Sequence, residues 1–160
     1  LPVNSIIAAN GSNELMYTVL MAIVGRGTKV LIPSPTFFLY EKIVRVLEGE
    51  VIAVPANDDL TFNNERIIEA ANKHEPSLII LNSPNSPTGQ MLTVNEVERI
   101  ISSTDAIVLV DEAYIEFADM PSVFPLLQKY DRLIILRTFS KAFSLAGLHL
   151  SPRRRGLLAG

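Results

Sequence analysis

Short, continuously apolar runs alternate along this chain with stretches in which apolar side chains recur every three or four residues. Residues 5–9 form the first run, which stops at the turn signal Asn10-Gly11. Ser12 stands where a helix cap is favoured, and Leu15, Val19, Leu20 and Ile23 share one helical face until Gly25 and Gly27 close it. The same reading predicts strands at 29–32, 51–54, 78–81, 106–110 and 133–136. Between them it predicts helices opened by Thr36, by Asn63 or Asn64, and by Thr93, and a further helix over 122–130. Apolar strands without polar alternation are buried on both faces. The fold class is therefore α/β, a mostly parallel sheet sandwiched by helices.

Composition adds limits rather than a direction. A chain of 160 residues, 48% hydrophobic and 19% charged, builds one soluble domain with a real core. Its net charge of −3 leaves no electrostatic footprint for nucleic acid. With no cysteine and only His74 and His149, thiolate chemistry and a histidine-rich metal site are excluded. No apolar run is long enough to span a membrane, and no signal peptide precedes residue 5, so a cytoplasmic location is the expectation. No Gly-x-Gly-x-x-Gly follows the first strand, which argues against a nicotinamide cofactor.

In open parallel sheets, ligands sit beyond the carboxyl ends of the strands. Four polar clusters follow strands here: Gly11-Ser12-Asn13-Glu14, residues 82–89, Asp111-Glu112-Ala113-Tyr114, and residues 138–141. Lys141 stands after an apolar strand among small and apolar residues. Partial burial there would disfavour its ammonium form and free the amine for Schiff-base chemistry. Asp111 ends a buried strand, where an unpaired carboxylate is expensive and a cationic partner resolves the cost. Gly11 and Ser12 open a helix whose N-terminal N–H groups suit a phosphate.

Thr138-Phe139-Ser140-Lys141-Ala142-Phe143-Ser144, with Gly147 beyond, resembles the attachment-site signature of the class-II aminotransferases. Asp111-Glu112-Ala113-Tyr114-Ile115-Glu116-Phe117 resembles their histidinol-phosphate aminotransferase branch, and the likeness runs over residues 1–148 in family order. The resemblance implies the large domain of a fold type I enzyme that uses pyridoxal 5'-phosphate. It implies transfer of an amino group between L-histidinol phosphate and 2-oxoglutarate in histidine biosynthesis, and a homodimer. An aromatic aminotransferase, a threonine-phosphate decarboxylase and an inactive fragment are the alternatives. The implied roles are Lys141 as the lysine that carries the cofactor and moves the substrate proton, Asp111 at the pyridine nitrogen, and Tyr114 at the phenolic oxygen. Phe37 is implied as a ring-stacking aromatic, and Gly11, Ser12, Asn13 and Ser140 as the phosphate cradle.

The chain departs from the family pattern in three places. Asn13 stands where the family commonly has Asp. In Pro84-Asn85-Ser86-Pro87-Thr88-Gly89, Ser86 replaces the asparagine that contacts the cofactor, leaving Asn85 or Ser86 to do so, with Asn85 the assignment. After Leu148 the expected arginine is missing, and residues 149–160 read as a basic, glycine-containing tail without structure. That tail is expected to mark a truncation or frameshift, with Arg153 the alternative source of the lost cation.

Overall fold

The computed structural model describes residues 5–143 and 157–159. Among these residues, seven strands form one sheet in the order β1-β7-β6-β5-β4-β2-β3, with every neighbouring pair parallel. They are β1 (Ile6–Ala8), β2 (Lys29–Ser34), β3 (Glu50–Pro55), β4 (Leu78–Asn82), β5 (Ile107–Asp111), β6 (Leu133–Arg137) and β7 (Leu157–Ala159). Among the described residues, four α-helices link the strands from β1 to β5: α1 (Ser12–Ile23), α2 (Leu39–Val46), α3 (Asn64–His74) and α4 (Val94–Ser102). No helix among the described residues is long and apolar enough to cross a membrane.

The two-residue period of a strand explains the layering. Leu31, Ile79, Leu81, Val108, Val110 and Ile135 point to one face, where they pack with Ile67, Val97 and Ile100 of α3 and α4. Val30, Ile32, Leu78, Ile80, Leu109 and Leu136 point to the other, against α1 and α2. Neither face of the central strands meets water, which is why the sequence shows runs rather than alternation.

The helix starts separate local signal from tertiary effect. Thr93 caps α4 in a reciprocal capping box: its hydroxyl accepts from the Glu96 N–H, and the Glu96 carboxylate accepts from the Thr93 N–H. Asn63, rather than Asn64, caps α3. Thr36 does not open α2, because its hydroxyl donates instead to Asn85 Oδ1 at 2.7 Å, and the helix begins three residues later. Ser12 is the first residue of α1 and not its cap. Gly11 holds that position at φ 87°, without any side-chain cap.

Two further expectations are corrected. The helix read over 122–130 is a 3-10 turn at Phe124–Gln128. Pro125 lacks an N–H and Glu112 takes the Val123 N–H, so the segment keeps only short local bonds, such as Leu126 N–H to the Val123 carbonyl, and no α-helical ladder forms at its start. The tail was expected to add no element, yet Leu157–Ala159 forms β7 between β1 and β6. Three apolar residues lie below what periodicity detects, whereas an open position between two parallel strands recruits them by backbone pairing. Residues 149–156, including Arg153, lie outside the described residues.

Candidate active site

β4, β5 and β6 each run one residue further than the apolar run and end on a polar group: Asn82, Asp111 and Arg137. The register sets Asn82 of β4 beside Asp111 of β5. At this rim a cleft of about 290 Å3 opens, lined by Asn10, Gly11, Ser12 and Asn13 from the start of α1 and by Phe37 and Tyr40 from the approach to α2. Asn82, Ser86, Asp111, Ala113, Tyr114, Ser140 and Lys141 complete it. Eight of the nine residues assigned to the site from the sequence thus line one cavity, at the low end of ligand-sized pockets.

Asp111 is the floor. It is only 5% exposed, with Oδ2 accepting from the Tyr40 hydroxyl at 2.7 Å and Oδ1 accepting from the Ala113 N–H at 2.9 Å. Burial pushes its carboxyl above the usual aspartate range, while the Tyr40 and Ala113 donors and the Lys141 ammonium pull in the opposite direction. Tyr40, fully buried on α2, has its hydroxyl held well above the ordinary tyrosine value, first by burial and then by the Asp111 charge.

The Lys141 Nζ lies 5.3 Å from the centroid of the Tyr114 ring, a cation–π distance. The partial burial expected of Lys141 is not found: its side chain is exposed, because it sits on the turn after β6 at the mouth of the cleft. Phe37 is half-buried and meets Tyr40 edge to face, with centroids 5.6 Å apart. The N-terminus of α1 lines the same cleft with no side-chain cap, so the N–H groups of Ser12 and Asn13 and the helix dipole remain available to an anion.

Asn85 is the exception. It does not line the cleft, and its amide is consumed in holding two loops together. Oδ1 accepts from the Thr36 hydroxyl, while Nδ2 donates to the Pro35 carbonyl at 3.0 Å and to Thr88 Oγ1 at 2.7 Å. Ser86 lines the cleft in its place, with its backbone N–H donating to Asn82 Oδ1 at 2.8 Å. Asn82 and Tyr40 are the residues that sequence reasoning missed. Asn82 carried a faint signal, a polar end to an apolar strand. Tyr40 carried none, because its helical spacing with Ile43 and Val44 reads as ordinary core.

A buried carboxylate, a lysine amine, an aromatic wall and an uncapped helix start on one rim of a parallel sheet define a class of protein. The chain belongs to the class I and II aminotransferases, a family that matches residues 2–150. A curated relative, the histidinol-phosphate aminotransferase of Chlorobaculum parvum, is 52% identical over 149 residues, covering 93% of this chain and 42% of that protein. The chain thus spans about two fifths of the length of the curated relatives it matches. Among solved structures, a chain from Erwinia carotovora atroseptica, provisionally named a histidinol-phosphate aminotransferase, superposes with a TM-score of 0.88 at 29% identity. That match covers 94% of this chain and 46% of the other. The Sinorhizobium meliloti histidinol-phosphate aminotransferase, in complex with pyridoxal-5'-phosphate, shares the fold with a TM-score of 0.81 at 23% identity, over 98% of this chain and 42% of that one.

Proposed function

We propose that the chain is the pyridoxal-phosphate-binding core of a histidinol-phosphate aminotransferase, moving an amino group between L-histidinol phosphate and 2-oxoglutarate. The observation that carries this reading is the convergence of Lys141, Asp111, Tyr114 and Phe37 with the uncapped start of α1 on one cleft. The donor set fits the cofactor. The N–H groups of Ser12 and Asn13, with the hydroxyls of Ser12 and Ser140, would hold the phosphate where the helix dipole favours negative charge. Gly11, at φ 87°, lets the backbone approach closely.

When bound, pyridoxal phosphate supplies an electron-accepting ring that stabilises negative charge at the substrate α-carbon. Phe37 would cover one face of that ring and exclude water. Asp111 would place its carboxylate at the ring nitrogen and keep a proton there. Tyr114 would donate to the phenolic oxygen, and Ser86, which lines the same cleft, would add a second hydrogen bond. Lys141 would hold the cofactor through its amine until the substrate amine displaces it, and the freed amine would then carry the proton to and from the substrate α-carbon. The identity to the Chlorobaculum parvum enzyme supports the substrate assignment. By the same family reading, the whole protein is a cytoplasmic homodimer.

Incubation with pyridoxal phosphate followed by borohydride reduction is expected to label Lys141, detected by peptide mass, and Lys141→Ala is expected to abolish the label. A reduced adduct on other lysines only would reject the site. In the full-length protein, L-histidinol phosphate should convert the bound cofactor to its amine form. No conversion with L-histidinol phosphate, together with decarboxylation of L-threonine phosphate, would reject the transaminase assignment.

A further inference from the structure

We propose that Tyr40 is a positioning residue for Asp111, its buried hydroxyl holding the carboxylate as an anion turned toward the cleft. This inference rests on the reading of the cleft as a pyridoxal phosphate site. Two donors reach Asp111 from different elements. The Ala113 N–H bonds Oδ1 from the same chain segment, two residues on, and the Tyr40 hydroxyl bonds Oδ2 from α2, across 71 residues of sequence. The first cannot set the orientation of the carboxylate by itself, since a single bond to Oδ1 leaves the group free to swing about it. The second fixes the plane.

Tyr40 is suited to this task. At 1% exposure its ring cannot move aside, and the edge-on contact with Phe37 ties it to the aromatic wall of the same cleft. A tyrosine that keeps its proton must donate to its partner, and a donor at Oδ2 favours the ionised carboxylate. The other titratable groups facing the pair are Tyr114, after β5, and Lys141, after β6. Lys141 favours the anion as well, but from the exposed mouth of the cleft. Tyr40 does so from the dry side, where a hydrogen bond to a charge is stronger.

Tyr40→Phe keeps the ring and its contact with Phe37 and removes one oxygen. In the cofactor-free protein, the 13C resonance of the Asp111 carboxyl should titrate at higher pH in this variant than in wild type. Fluorotyrosine at position 40, a stronger donor of the same shape, should move that midpoint down, and it serves if Tyr40→Phe fails to fold. Unchanged midpoints in a natively folded variant would overturn the proposal. Pyridoxal phosphate should bind about tenfold more weakly to Tyr40→Phe, the loss of one hydrogen bond to a charged group. In the Asp111→Asn background the same change should cost almost nothing, and equal losses in both backgrounds would overturn the proposal. If wild type takes up no cofactor, the site reading falls, and the carboxyl titration alone decides the role of Tyr40.

Discussion

Two adjacent acidic residues at the end of β5 have divided roles. Asp111 faces the cleft, whereas Glu112 points the other way and is 1% exposed. Glu112 Oε2 accepts from the Ser122 hydroxyl at 2.7 Å and Oε1 from the Val123 N–H at 2.8 Å, pinning the segment that leads into the 3-10 turn. Burial raises its carboxyl above the ordinary glutamate range, the Ser122 and Val123 donors and Arg137 oppose this, and Glu116 adds to it. The folded protein therefore binds this proton more tightly than the unfolded chain does. The resulting stability is fully present below the ordinary glutamate value and is lost as pH rises through the raised folded value. Glu112→Gln cannot ionise, so wild type should weaken relative to the variant as pH climbs through that window. Urea midpoints of both proteins at a series of pH values test this, and parallel curves would refute it.

The short connection between α2 and β3 shows how tightly the elements are docked. A Cβ built on Gly49 would lie 2.6 Å from a methyl of Val24 and 2.9 Å from one of Val44, both buried, and 3.1 Å from the Thr28 carbonyl. The Gly49 N–H donates to the Val44 carbonyl, which terminates α2 and turns the chain into β3. Gly49→Ala should therefore force the end of α1 and the end of α2 apart and destabilise the fold by about 1–3 kcal/mol, as overpacking does. Chemical denaturation checks the value. A variant as stable as wild type would mean that the valines give way without loss. In a sequence, a glycine after a helical stretch reads as no more than a stop signal. That a second helix passes within contact distance follows from the packing of α1 beside α2.

At the scale of the molecule, the site is a seam. It joins the starts of α1 and α2 to the ends of β4, β5 and β6, so a ligand in the cleft binds only the folded arrangement. Saturating pyridoxal phosphate at about a hundredfold its dissociation constant should add ~2.7 kcal/mol to stability. Hydrogen exchange should slow together in the first turn of α1, in residues 35–40 and at the ends of β4 and β5. Protection confined to the turn around Lys141 would show that the cofactor attaches without engaging the cleft.

Taken alone, the amino-acid sequence determined the layer order, the strand count up to β6, the cap of α4, the cap of α3 to within one residue, and most of the rim, because each rests on local patterning or a contiguous motif. Lys141 and Asp111 were legible because strand ends in parallel sheets point the same way. What only the tertiary structure decided are the partnerships across long sequence separations. Tyr40 is bonded to Asp111, Thr36 spends its hydroxyl on Asn85 instead of capping α2, and Asn85 braces loops while Ser86 takes the cleft. The physical reason is common to all of them. A buried polar group must find a partner, and which partner lies within 3 Å depends on how sheet and helices pack, which no local period records.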